Sequence, residues 1–396
     1  MSEPTDRTPI VAAAAAAAVS AGEAAFHALS SQVGGHPGVL ASEDGSLIVK
    51  ESVARERAFY ELLAQEDPRI APLQPFVPLF YGTLRLEGRV HNTAALEPVP
   101  GVAAVDVEQG FMPASVVEDK DEFMSGEFSL LENVSSSFSK PNILDIKLGT
   151  ILYDEDALPE KKARMIETAK NTTSLETGVR LTGFQVYDYS NGAHEVTPKS
   201  YGKSIKASEL PEGIRRFFPL SSSSNIDTAS APEPVGIGLP RGLLLPIMRG
   251  IVADTLALRA ALASTEVRAA AMSLLVVYEA DWARAHAGLE EVNAAPAPAS
   301  ELGAASVPVP MASTSIGNDA AAGDADLEGS GYEEDVEDAE DEDEDEEEQH
   351  PPYVVKIIDF AHTRLVPGSG PDESVLKGLD TTISLFEGRI KEVECE

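Results

Sequence analysis

Cysteine is almost absent. The single Cys395 lies beside the end of the 396-residue sequence, which excludes an intrachain disulfide and any zinc site built on thiolates. That usage suits a reducing compartment, cytosolic or nuclear. Positive charge is scarce too: 30 Lys plus Arg stand against 66 Asp plus Glu, a formal net charge of −36. A generic nucleic-acid binder, whose affinity comes from neutralising phosphates, is excluded by that balance. Long apolar runs are missing as well, since the stretches 242–248 and 269–278 fall far short of the roughly 20 residues that span a membrane. The alanine run 12–18 follows Glu3 and Asp6 and leads to no clear cleavage signal, so a secretory leader is not expected. No repeat recurs at a spacing of roughly 20–50 residues, which argues against a solenoid or a propeller.

The acidic excess is concentrated. Residues 290–352 hold no Lys or Arg and 21 Asp plus Glu, 14 of them between Glu333 and Glu348. This stretch has almost no large apolar side chains to offset its ordering entropy, so 293–352 reads as a disordered acidic insertion. It would act as a solvated spacer or dock a basic protein partner. Residues 1–30 are expected to be disordered, and 221–234 to form a Ser/Pro-rich surface loop.

The remainder, with a hydrophobic fraction of 43%, alternates strands and helices in an α+β pattern. Strands are expected at 47–50, 128–133, 143–147, 179–187, 274–278 and 354–359, and helices at 53–65, after Pro159, at 243–263, 267–271 and 375–390. An N-terminal region of 31–134 precedes a larger one, 135–292, completed by 353–396 beyond the insertion.

Three places carry chemistry. Lys50 closes a short strand and is followed by a helix with Glu56 on its first turns, and such a Lys–Glu pair is how kinase-like sites hold nucleotide phosphates. In PNILDIKLG, residues 141–149, strand alternation puts Asp145 and Lys147 on one face and Ile146 and Leu148 on the other. In VVKIIDFAHT, residues 354–363, an apolar strand ends in Asp359, placed to hold Mg²⁺ against nucleotide phosphates, with His362 three residues on.

These motifs, with SLLVVYE at 273–279, resemble the signatures of the inositol polyphosphate kinase family, in the family's order. The similarity runs from about Lys50 to the C-terminal helix, apart from the acidic stretch. LYDEDALPEKKARM and the YGKSI segment from Tyr201 are most similar to the fungal multikinase branch. Met272 departs from the pattern, standing where the family has the first of two serines; Ser273 fills the second place.

The resemblance implies a bilobal protein-kinase-like fold, with an ATP cleft between a small N-terminal and a larger C-terminal lobe. Lys50, supported by Glu56, would hold the α- and β-phosphates, and the main chain around Glu132 and Val134 would bind adenine. Asp145 would take the ribose hydroxyls, Ser273 would lie on the nucleotide side, Asp359 would coordinate Mg²⁺ and Lys147 would meet the γ-phosphate and the acceptor hydroxyl. Lys161, Arg164, Lys203 and His362 would bind the anionic acceptor, with Lys162 pointing away. No HRD, DFG or GxGxxG element is present, and GIGLPRG at 236–242 is not a phosphate loop of the Walker type.

The activity so implied is ATP- and Mg²⁺-dependent phosphorylation of inositol tris- and tetrakisphosphate hydroxyls towards the pentakisphosphate, by a monomer with no membrane span in the nucleus and cytoplasm. A narrower trisphosphate 3-kinase or a hexakisphosphate kinase stays open, as does an acidic nuclear scaffold without catalysis. Intact Lys50, Asp145, Lys147 and Asp359 weigh against the scaffold.

Overall fold

The computed structural model describes residues 26–29, 33, 38–89, 123–221, 234, 236–294 and 351–396. Residues 1–25, most of 221–234 and the acidic residues 295–350 lie outside them, and so do the expectations of disorder placed there.

Alternation builds the N-terminal sheet. Strands β1 (Phe26–Ala28), β2 (Leu40–Ser42), β3 (Leu47–Glu51), β4 (Phe80–Arg89) and β5 (Phe123–Glu132) pair antiparallel in the order β1-β2-β3-β5-β4. Leu47 and Val49 join Phe26, Leu40, Phe128 and Leu130 in a small core on one face. The period of two then leaves Ile48 and Lys50 on the other face, lining a cleft. Helix α1 (Ala54–Ala64) follows, rich in strong helix formers and burying Glu56, Phe59, Tyr60 and Leu63 along one side.

The C-terminal lobe is a second antiparallel sheet covered by helices. Its strands are β6 (Pro141–Leu148), β7 (Val179–Asp188), β8 (Ala193–Thr197), β10 (Ser273–Glu279) and β11 (Tyr353–Ile358), in the order β11-β10-β6-β7-β8. A small ribbon pairs β9 (Val267–Ala269) with β12 (Thr363–Leu365). The helices are α2 (Pro159–Lys170), α3 (Ser174–Thr177), α4 (Lys199–Ser204), α5 (Leu210–Phe217), α6 (Arg241–Ala263), α7 (Trp282–Ala294) and α8 (Glu373–Cys395). Leu144, Ile146 and Leu148 of β6 point into the main core with Leu244, Ile247 and Ile251 of α6. Gly178, at φ 72°, lets α8 approach closely, because a Cβ there would stand 2.8 Å from the Gly378 nitrogen. Asp372 caps α8 through the N–H groups of Ser374 and Val375 and also accepts from Ala269 N–H, fastening β9 to the helix.

Three expectations need correction. Residues 26–28, expected within a disordered stretch 1–30, form strand β1, where Phe26 is buried with Leu40, Val49 and Leu130 and so offsets the ordering entropy. Residues 267–271 do not form a helix: Val267–Ala269 is strand β9, because Thr363–Leu365 offers a ladder that a single helical turn could not match. The acidic insertion was also drawn too wide. Asn293 and Ala294 complete α7, and the Pro352 carbonyl accepts a hydrogen bond from Glu279 N–H.

A candidate phosphoryl-transfer site

The cleft between the lobes is walled by apolar side chains above and below. Ile48 and Leu131 come from the N-terminal sheet and Ile143, Leu275 and Val277 from the C-terminal sheet, with Val33 packed among the latter. That composition suits a flat aromatic ring. The connecting segment after β5 closes the back. Glu132 spends its N–H on the Leu79 carbonyl and its carboxylate on Leu79 N–H, at 2.9 and 3.0 Å, and Asn133 N–H reaches the Ser46 carbonyl at 2.8 Å. The Val134 main chain makes no hydrogen bond to the described residues, and Val134 lines the cleft.

Towards the mouth the lining becomes charged. Lys50 Nζ lies 2.7 Å from Asp359 Oδ1 and 3.0 Å from Glu56 Oε1. Burial works against the lysine's charge, but Asp359 and Glu56 outweigh it and its pKa is raised. Glu56 also accepts the Phe360 N–H at 3.3 Å, and the Phe360 ring stacks on Phe59 with centroids 4.7 Å apart. Helix α1 therefore grips the end of β11 by a carboxylate and by a ring. Asp359 itself adopts φ 68°, a left-handed conformation that Asp tolerates better than most residues.

The other carboxylate oxygen of Asp359, Oδ2, is 3.5 Å from Lys147 Nζ, and the lysine also donates to the Ala271 carbonyl at 2.8 Å. Asp145 and Lys147 share the cleft-facing side of β6, as alternation requires. Asp145 is buried, its Oδ1 has no partner among the described residues, and burial pushes its pKa up to about 6 against the opposing Lys147 charge. Ser273 sits opposite Lys147 in the β6–β10 register, buried and with its hydroxyl unpartnered among the described residues. Met272 points instead into the main core, so the missing hydroxyl lies off the cleft face.

On the acceptor side, Lys161 Nζ stands 3.3 Å from His362 Nε2. Burial first, and then the Lys161 charge, hold His362 below the ordinary histidine pKa despite Asp154 nearby. Arg164 and Lys203 are exposed, and their side chains make no hydrogen bond or ion pair with the described residues. Lys162 donates to the Glu155 carbonyl at 2.5 Å, away from His362. Arg180 escaped the sequence reading. It pairs with Lys147 across β6–β7, its Nη1 is buried without a partner among the described residues, and burial lowers its pKa against the pull of Asp145. The signal was an arginine in an otherwise apolar strand, VRLTGF, but its alignment with Lys147 depends on the bulge between Asp145 and Ile146.

Among the described residues no group of three or more His, Cys, Asp or Glu could hold a metal. A divalent cation would rest on Asp359 and on phosphate oxygens, as Mg²⁺ usually does in kinases.

Residues 128–387 match the family described as inositol polyphosphate kinase. The chain belongs to this family. It resembles an inositol polyphosphate multikinase of Saccharomyces cerevisiae, 26% identical over 386 residues, covering 91% of this chain and 98% of the relative. A multikinase of Schizosaccharomyces pombe is 28% identical over 49% of this chain and 63% of its own. Inositol hexakisphosphate kinase 1 of Mus musculus is 29% identical over 66% of this chain and 51% of its own. The fold matches a crystal structure of the inositol phosphate multikinase of S. cerevisiae in complex with ADP and Mn²⁺, with a TM-score of 0.51 and 21% identity over 87% of this chain and all of that one. Like other members of the family, the chain is a kinase with an α+β, kinase-like fold.

Proposed function

We propose that this inositol polyphosphate kinase is a multikinase, transferring the γ-phosphoryl group of ATP to hydroxyls of inositol tris- and tetrakisphosphates. One observation carries the reading: Asp359 is shared between Lys50 on the nucleotide side and Lys147 on the transfer side, at 2.7 and 3.5 Å. Adenine fits between the apolar walls against the Val134 main chain, and the unpartnered Asp145 oxygen is free to accept a ribose hydroxyl. Lys50 holds the α- and β-phosphates.

Asp359 would hold Mg²⁺, which would supply charge neutralisation for the transferring phosphoryl group. Lys147, steadied by the Ala271 carbonyl, lies where the γ-phosphoryl group and the acceptor oxygen meet, and stabilises charge mainly in the transition state. Lys161, held at His362 Nε2, and Arg180, opposite Lys147, supply donors for ring phosphates. Near-complete coverage of the S. cerevisiae multikinase, against about half of the hexakisphosphate kinase, supports the multikinase reading over the narrower one. The test is purified protein with ATP, Mg²⁺ and a panel of inositol phosphates, with products resolved by isomer. Transfer to the tris- and tetrakisphosphates is expected, and transfer to the hexakisphosphate alone would sink the reading.

A further inference from the structure

Asp154 has no part in the chemistry described so far, yet its side chain is only 8% exposed and lies where the two lobes meet. From the N-terminal lobe, Arg55 of α1 binds Asp154 Oδ2 through Nη1, while its Nη2 is 3.1 Å from Asp156 Oδ2. From the C-terminal lobe, His362 brings Nδ1 to 3.6 Å from the same Asp154 oxygen. The far ring nitrogen, Nε2, is the atom that meets Lys161 at 3.3 Å. Arg55, Asp154, His362 and Lys161 thus form one continuous line from α1 to α2.

Each link has a chemical sense. Burial and the Lys161 charge lower the His362 pKa, and the ring accepts from the Lys161 ammonium at Nε2 only as the neutral tautomer that carries its proton on Nδ1. A carboxylate beside Nδ1 favours that tautomer. The Asp154 carbonyl accepts Ala157 N–H at 3.0 Å, fixing the turn that leads into α2 and its Lys161. Asp156 contrasts with it: at 75% exposure it is an ordinary surface partner for Arg55.

We propose that Asp154 is a positioning residue for the acceptor site, binding Arg55 so that the seating of α1 sets the orientation of His362 and Lys161. This rests on the reading of Lys161 as an acceptor-binding group, which His362 orients. Adjacent helical residues point about 100° apart. Glu56 therefore serves the nucleotide side while Arg55, one position earlier, serves the acceptor side. A single rigid helix couples the two halves of the cleft.

The test uses the full chain carrying Asp154→Asn, Asp156→Asn, Arg55→Ala, Lys161→Ala or Asp154→Asn with Lys161→Ala, assayed with ATP and inositol trisphosphate. Asp154→Asn should raise the KM for inositol trisphosphate on the order of tenfold, the scale of a lost charged hydrogen bond. The KM for ATP should stay within about twofold, and Asp156→Asn should match wild type within the same margin. The double variant should fall short of the product of its single effects, because the two residues act along one line. An unchanged KM for inositol trisphosphate in Asp154→Asn would overturn the proposal. So would equal rises in both KM values with a lower Tm, which would mark a purely structural role. Should Asp154→Asn not fold, Arg55→Ala decides alone: it must raise the acceptor KM selectively. Wild type inactive on every inositol phosphate defeats the functional reading and this inference together, whereas active wild type equalled by Asp154→Asn defeats only the inference.

Discussion

Lys147 Nζ lies 2.8 Å from the carbonyl oxygen of Ala271, a residue held at φ 65°. Left-handed backbone at a non-glycine residue costs roughly 1–2 kcal/mol, so the carbonyl that steadies Lys147 is presented from a strained position. Ala271→Gly relieves that strain but adds freedom to the unfolded chain, and the two effects should leave stability within about 1 kcal/mol of wild type. Its kcat should be retained. Ala271→Val, β-branched and disfavoured at positive φ, should lower both Tm and kcat. Thermal melts and steady-state rates on the pair check this.

Lys147→Ala should reduce turnover on the order of 10²-fold or more while nucleotide binding persists, since the ammonium acts on charge that develops in transfer. Calorimetric ATP binding beside single-turnover rates separates the two effects. A variant that keeps more than about a third of the wild-type rate would remove Lys147 from the mechanism.

Replacing Asp359 by Asn takes away the one carboxylate that Lys50 and Lys147 share. The variant should need more Mg²⁺ and lose nearly all activity, because a neutral amide is a poor ligand for a hard cation. A steady-state Mg²⁺ titration gives the answer, and an unchanged requirement would place the metal elsewhere.

Asp145 should trade stability for binding. Burial raises its carboxyl from the ordinary 3.8 to about 6, so the folded protein holds this proton more tightly than the unfolded chain does. Stability from this group is therefore present below about pH 4, falls as pH rises through about 6, and stays lost above it. Asp145→Asn removes the cost of burying the charge, on the order of 2–3 kcal/mol at most, with a part returned because Lys147 loses a neighbour. Its Tm should exceed that of wild type at pH 8 and converge with it near pH 4, while its ATP affinity falls. A variant no more stable at pH 8 than at pH 4, relative to wild type, would contradict the assignment.

Much of the site was legible because it lies on strands. A period of two is enough to put Asp145 with Lys147 and Ile48 with Lys50, and the end of an apolar run is enough to place Asp359. Lys161 and Arg164 are three residues apart, a rotation of about 300°, and that offset leaves Lys161 against His362 but Arg164 in solvent. Long-range pairs were out of reach: Arg55 and Asp154 are 99 positions apart, and no local pattern announces them. Strand β9 was misread because three residues, Val-Arg-Ala, carry too little periodicity, and its partner lies across the acidic stretch.

Strands β10 and β11 are matched residue for residue from Ser273–Ile358 to Tyr278–Tyr353, although α7 and the acidic stretch separate them along the chain. The spacing between Ser273 and Asp359 is thus set by the ladder and is indifferent to how much polypeptide connects the two strands. Gene length can drift at this point without disturbing the chemistry, since the register is fixed by the two strands themselves. The same tolerance makes it a natural port for a fluorescent or affinity domain, spliced between Ala294 and Pro351.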